Sequence, residues 1–369
     1  MNGPRPPLMI PSLDGIRAAS FLLVFLAHAG LERAIPGGLG VTVFFFLSGF
    51  LITTLLRKEL EETGGISLKQ FYLRRALRIF PPFYTMLLGA AALSAAGVLA
   101  GPPQGAPLLA QVLHLANYWT VAHGYEGQIA GTGVYWSLAV EEHYYLVFPA
   151  LFVLLHRLLK TPLARAASLW GLCLLVLLWR CALVFGADAP MDRTYLATDT
   201  RIDSILFGCA LAGNPALDTQ APGIQRIWLR VLLPSGAALM LVSLLFRDDR
   251  FRETFRYTLQ GVALYPLFVC AVRHPRLGAF RLLNHALVRR VGELSYSLYL
   301  VHHVVILGVQ RWLPLPGAAQ GAVALGLALL LSDAIWRFVE QPCARLRKRL
   351  TRMPAPALAA FPAIAGGSQ

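Results

Sequence analysis

Arg17 and His28 bracket the apolar run from Ala18 to Leu26 near the start of the chain. At about 100° per residue, eleven residues make roughly three turns plus about 20°, so on a helix both side chains face the same way. The rise between them is about 16 Å, roughly half a hydrocarbon core. One face would then carry a cation near one membrane surface and an imidazole well inside. That pairing suits a long donor molecule with an anionic end and a reactive end. Imidazole is the side chain most often used to take a proton from a hydroxyl near neutral pH. The plainer alternative is that Arg17 reaches back to the interface and His28 hydrogen-bonds a neighbour.

Four further stretches hold polar groups where apolar ones are expected. Trp136-Ser137-Leu138-Ala139-Val140-Glu141-Glu142-His143 brings two carboxylates into an apolar helix, with Ser137 and Glu141 on one face. A buried carboxylate beside an imidazole orients it and raises its basicity. Phe71 to Pro82 is amphipathic and basic through Arg74, Arg75 and Arg78; guanidinium groups suit bidentate phosphate contacts, although topology and anionic lipid would also explain them. Thr198 to Ser204 contains Arg201 and Asp203, either a structural ion pair or part of an acceptor site. Ser295 to His303 lines one helix with Tyr296, Tyr299, His302 and His303. Ionisable groups in a membrane cost roughly 2.5–3.5 kcal/mol each on insertion scales, so each is a functional candidate.

The elements that must position these groups are membrane helices. The chain has 369 residues, 56% hydrophobic and 14% charged, with a mean hydropathy of +0.58. Soluble domains carry about 25% charged residues. Ten apolar segments are expected to span, near 14–33, 38–56, 81–100, 137–156, 167–187, 201–213, 229–246, 257–273, 291–312 and 318–339. The sixth is short and interrupted by Arg201 and Asp203. The expected fold is therefore an all-α integral membrane protein. The net charge is +14, and alternate loops carry most of it, which puts both termini in the cytoplasm. One outer loop disagrees, with Arg247, Arg250, Arg252 and Arg256 offset by Asp248, Asp249 and Glu253. One transmembrane domain is expected over 1–345, followed by a basic, then Pro- and Ala-rich tail over 346–369 without order. Arg5, the run from Ala18 to Leu26 and Ala27-His28-Ala29 imitate a cleavable signal, but Asp14 and Arg17 break the approach to the apolar run. The five cysteines are scattered with no metal-ligand spacing, so neither a disulfide framework nor a metal is expected. Nucleic acid is not an expected partner, since no soluble basic surface interleaved with aromatics is present.

Taken in order, these segments resemble the membrane acyltransferase-3 family, whose members O-acylate lipopolysaccharide, exopolysaccharides, peptidoglycan and some antibiotics. The resemblance runs from residue 13 to about 345. It rests on Leu13 to Arg17 with His28, Gly40 to Thr53, Phe71 to Pro82, Trp136 to Pro149, Thr198 to Gly208 and Ser295 to His302. It implies that Arg17 and His28 are the family's Arg and His, that Glu141 is its Trp-Ser-Leu-x-x-Glu carboxylate, and that Arg74 and Arg75 are its cytoplasmic basic motif. Thr42 stands where many members have an acidic residue, and Ala18 where Gly is common. Some members add an extracytoplasmic esterase-like domain; none is expected after the last helix here.

The implied reaction is transfer of an acyl group, most simply acetyl, from acetyl-CoA or another acyl-CoA to a hydroxyl of a carbohydrate or lipid-linked glycan. The implied setting is a bacterial cytoplasmic (inner) membrane. Catalysis would rest on His28, Glu141 and Arg17, with Glu141 orienting or charge-balancing the imidazole. Arg17, Arg74, Arg75 and Arg78 would hold donor phosphates. Trp136, Ser137, Arg201, Asp203, Tyr296 and His302 would lie near the acceptor. His28 would serve as general base or as a covalent acyl carrier. The alternative is a glycan or small-molecule transporter or flippase, for which inverted repeats and matched broken helices would be the sequence signature; none is seen.

Overall fold

The computed structural model describes residues 10, 12–101, 104–213 and 222–350. The tail expected to lack order falls outside these from residue 351, and within them 346–350 end a helix, Gln341–Leu350. Ten main helices carry the fold: α1 (Leu13–Leu26), α2 (Gly37–Thr63), α3 (Leu68–Ala95), α4 (Trp136–Leu158), α5 (Pro162–Cys181), α6 (Thr198–Ala212), α7 (Leu233–Leu245), α8 (Phe255–Arg273), α9 (Ser295–Trp312) and α10 (Gly317–Ile335). No strand occurs among the described residues.

Among the described residues, eight helices are long and apolar enough to cross a membrane, and the pair Ala286–Glu293 and Ser295–Trp312, bent by 74°, makes a ninth if it is one span. This is a multi-pass membrane fold with one span fewer than the ten expected by length. The difference is α6. It has 15 residues, about 22 Å of helix, short of a 30 Å hydrocarbon core. It still crosses the molecule, because residues before it (Met191) and after α7 (Phe246) line one cavity at the same end. A short polar helix is tolerated there because α6 meets protein on nearly every side: Thr200, Arg201, Asp203 and Ser204 are all fully buried.

Local signals set the helix ends. Ser67 and Thr161 cap α3 and α5, accepting from the Gln70 and Ala164 amides at 3.4 and 3.1 Å. α2 stops at Gly64, which takes a left-handed φ of 72°. Between α2 and α6 two glycines face each other. A Cβ on Gly49 would sit 1.9 Å from the Ile205 carbonyl oxygen, and one on Gly208 1.9 Å from that of Phe46. Only glycine permits this approach, the small-residue packing by which membrane helices associate. It seats α6, and with it Arg201, against the face of α2 that carries Thr42 and Phe45. A fully buried ion pair ties α5 to α6: Arg180 donates to Asp203 at 2.7 Å, to the Thr200 and Thr254 carbonyls at 2.6 and 3.0 Å, and to Thr258 at 2.7 Å.

Candidate active site

α1 does not end as a simple α-helix. Its last turn, Ala27–Leu31, is π-helical and closes on Gly30 at φ 100°. Single π turns are common at functional positions, and this one carries His28. Two consecutive histidines of α9 meet it. His302 Nε2 lies 3.1 Å from His28 Nδ1, and the His303 ring stacks on His28 with centroids 4.5 Å apart.

The contacts assign the tautomers. His302 Nδ1 is 2.7 Å from the Tyr299 carbonyl oxygen, which can only accept, so the proton of neutral His302 is on Nδ1. Its Nε2 must then accept, and His28 Nδ1 must donate. The remaining nitrogen of His28, Nε2, is left with a free lone pair. His302 is completely buried, whereas His28 is half-buried and lines a cavity of about 1020 Å³. An imidazole held in this way can take a proton from a hydroxyl or accept an acyl group at Nε2.

The large cavity opens at the end of the molecule that holds the loops joining α1 to α2, α3 to α4, α5 to α6 and α7 to α8. Trp136, Tyr195, Tyr257 and Tyr125 give it an aromatic lining, with Gln128 and Gln260 as polar groups. Tyr125 lies outside the spanning helices, about half-exposed, and partial desolvation, with Asp192 nearby, pushes its phenol up to about 12. It therefore stays a hydrogen-bond donor at neutral pH.

A second cavity, of about 100 Å³, lies toward the Arg-rich end of α3. Arg17, Arg75 and Arg78 line it with Glu141, Glu142 and Tyr296. The two cavities share Val41 and Tyr299. Tyr299 is fixed between them by a 2.6 Å hydrogen bond to Ser137. An anionic group is matched by the three arginines, of which Arg17 is already paired with Asp14 at 3.0 Å. Arg75 packs over the rings of Phe71 and Tyr145.

Several expected placements change. Glu141 does not orient His28. Its carboxylate accepts from Ser48 at 2.7 Å and Tyr145 at 3.3 Å, because α4 presents it to α2 in the smaller cavity, and a histidine partners His28 instead. Arg17 and His28 share a helix but open to different cavities. Arg74 lines neither; it pairs at 2.5 Å with Glu59, whose other oxygen accepts from the Ser67 amide at 2.9 Å. That carboxylate locks the α2–α3 corner. Arg201 and Asp203 do not pair with each other and sit behind the cavity walls. Arg201 donates to the Tyr195 carbonyl at 3.2 Å and to Thr42 at 3.1 Å, and the Tyr257 ring covers it at 4.0 Å. Tyr296 belongs to the smaller cavity, where its hydroxyl donates to the Ile79 carbonyl at 2.9 Å. Of the six residues expected beside the acceptor, Trp136 alone lines the larger cavity; Ser137 acts on Tyr299 and His302 on His28.

Sequence reasoning missed Tyr195 and gave no particular role to Tyr299 or His303. Tyr299 and His303 lay within a motif already quoted, where the signal was a polar ring in an otherwise apolar helix. Tyr195 lies on Met191–Leu196, a helix too short to register as an element.

The acyltransferase-3 family model, an acyltransferase domain, matches residues 10–337. The chain belongs to this family of membrane acyltransferases. It is 29% identical over 348 residues to the peptidoglycan O-acetyltransferase OatA of Listeria monocytogenes serovar 1/2a, a match covering 90% of this chain and 55% of that protein. With the O-acetyltransferase OatA of Staphylococcus aureus (strain NCTC 8325 / PS 47), the identity is 28% over 357 residues, 91% of this chain and 57% of the relative. The chain thus spans little more than half the length of these curated relatives. No solved structure matches it.

Proposed function

We propose that this protein is an O-acetyltransferase of a bacterial inner membrane, moving acetyl from acetyl-CoA to a hydroxyl of a carbohydrate acceptor. The observation that carries the reading is the 3.1 Å contact between His28 Nδ1 and His302 Nε2 beside the larger cavity, from which the tautomer of His28 follows. Its Nδ1–H is engaged by His302, which leaves the Nε2 lone pair to the larger cavity. The acceptor enters that cavity, where aromatic faces such as Trp136 and Tyr195 suit the apolar faces of sugar rings. The donor comes from the Arg-rich end, its phosphates met by Arg17, Arg75 and Arg78. Its pantetheine arm passes Tyr299, where the two cavities meet.

Atoms balance simply. The acceptor oxygen forms the new bond to the acetyl carbon, the carbon–sulfur bond breaks, and the hydroxyl proton goes to His28 Nε2 and on to the departing thiolate. Alternatively, His28 Nε2 takes the acetyl first and passes it to the hydroxyl. In either route the Nδ1–H···Nε2 contact to His302 stabilises the positive charge that develops on the His28 ring.

The test is transfer of radiolabelled acetyl from acetyl-CoA in membranes, with wild type beside His28→Ala at matched expression. The expected result is label in a glycan product with wild type and a loss of at least about 10²-fold in the variant. Equal labelling by both proteins would overturn the mechanism. Donor-independent movement of an unlabelled glycan across the membrane would favour transport instead.

A further inference from the structure

Two arginines of one loop, and a third at the start of the helix that follows it, line the larger cavity where the charge pattern of the chain disfavours them. The loop joining α7 to α8 carries Arg247, Arg250 and Arg252, and the first turn of α8 adds Arg256, at the end opposite Arg75 and Arg78. Loops at that end are otherwise poor in Lys and Arg, so this cluster needs a local reason. Arg247, Arg252 and Arg256, together with Arg33, line the cavity that holds His28, against one lining carboxylate, Glu32.

The acids of the loop do not cancel them inside the cavity. Asp248 caps the short helix Asp249–Glu253 by accepting from the Phe251 amide at 2.8 Å. Asp249 meets Arg252 at 3.4 Å with its own side chain 82% exposed, so solvent screens the pair. Glu253 is buried, turned toward Thr194 and, at 3.8 Å, Arg256. Arg247 has no ion-pair partner among the described residues.

A second, independent feature adds to this field. Arg201 is fully buried and has no carboxylate within ion-pair distance among the described residues. Its guanidinium is met by one carbonyl, one hydroxyl and the rings of Trp136, Tyr195 and Tyr257, which form the cavity wall in front of it. A charge in so apolar a setting is weakly screened, so the cavity is positive both at its rim and behind its wall.

We infer that the acceptor which offers its hydroxyl to His28 carries an oxyanion, held by Arg247 and Arg252 at the rim of the larger cavity. The inference rests on the acceptor reading above and adds the chemical class. The oxyanion is the phosphate of a lipid carrier or the carboxylate of an acidic sugar; both fit a guanidinium pair through charge-assisted hydrogen bonds.

Binding to detergent-purified protein tests this without relying on transfer. Three probes are titrated calorimetrically at low salt: tri-galacturonate, farnesyl diphosphate and maltotriose as the neutral control. The expected result is that one anionic probe binds about tenfold or more tightly than maltotriose. Arg247→Gln/Arg252→Gln abolishes that preference, and Arg247→Lys/Arg252→Lys keeps most of it. Arg256 is left in place because it donates to the Tyr257 hydroxyl at 2.8 Å. Preference for tri-galacturonate assigns the anion to the sugar; preference for farnesyl diphosphate assigns it to the carrier. Equal binding of all three probes, or a preference that survives in the Gln variant, overturns the inference. Those results would leave the His28 transfer experiment intact, so the two failures are separable.

Discussion

His302 Nε2 faces His28 Nδ1 at 3.1 Å, and a backbone carbonyl decides which of the two gives the proton. His302 is a positioning residue in this arrangement: completely buried, outside the cavity lining, and able to act only through His28. His302→Phe removes the acceptor of His28 Nδ1–H and lets His28 adopt either tautomer. The expected outcome is a fall in kcat of about 10²-fold with KM for acetyl-CoA within a factor of two or so. His302→Gln offers a side-chain oxygen that accepts from His28 Nδ1–H, and should recover about tenfold of that loss. A purely structural His302 would show no such rescue, and both variants would lose activity in proportion to folded protein.

Arg74, Arg75 and Arg78 are neighbours in sequence with different surroundings. Arg75 and Arg78 open into the smaller cavity beside Arg17, while Arg74 is held by Glu59. Arg75→Gln or Arg78→Gln should raise KM for acetyl-CoA by about tenfold, the worth of one charge-assisted phosphate contact. Arg74→Gln should leave that KM nearly unchanged and instead lower thermal stability, since Glu59 would lose the partner that joins α2 to α3. Steady-state kinetics with varied donor, beside a melting curve in detergent, separates the two effects. Similar KM increases in all three variants would show the basic face acting as one diffuse patch.

Much of the fold could be read in the sequence, because apolar runs of membrane length leave few alternatives. Alternating basic loops also separated the end carrying Arg75 from the end carrying Arg247. The sixth segment, expected to be short, is α6: it is short because protein, not lipid, surrounds it, and hydropathy alone cannot tell those neighbours apart. At the site, residue types were legible and partners were not. Arg17 and His28 do share a helix, yet Tyr299 and its Ser137 bond stand where the two cavities meet, and neither was visible from spacing on α1. Glu141 was the natural carboxylate for an imidazole until α2 supplied Ser48. Arg201 and Asp203, two residues apart, point to opposite sides of α6 and find separate partners. Long-range partnerships of this kind depend on helix rotation, which a sequence of nearly uniform hydrophobicity does not encode.

Asp203 shows how much stability depends on one of those partnerships. It is completely buried and is the only carboxylate within ion-pair distance of Arg180 among the described residues. A buried pair adds little beyond an apolar packing of the same shape, but breaking it leaves a charge with no compensation. Asp203→Ala strands the Arg180 guanidinium beside two carbonyls and Thr258. The expected cost is about 3–5 kcal/mol, seen as a large drop in the melting temperature of the detergent-purified protein. Asp203→Asn keeps an acceptor for Arg180 and should cost clearly less. Neither variant should change KM for acetyl-CoA in the protein that remains folded, since Asp203 lines neither cavity. The double variant Arg180→Met/Asp203→Leu is the decisive control. If it is more stable than Asp203→Ala, the loss in the single variant came from the stranded charge. If it is equally unstable, the links from Arg180 to Thr200, Thr254 and Thr258 hold α5, α6 and α8 together, and the ion pair is secondary to them.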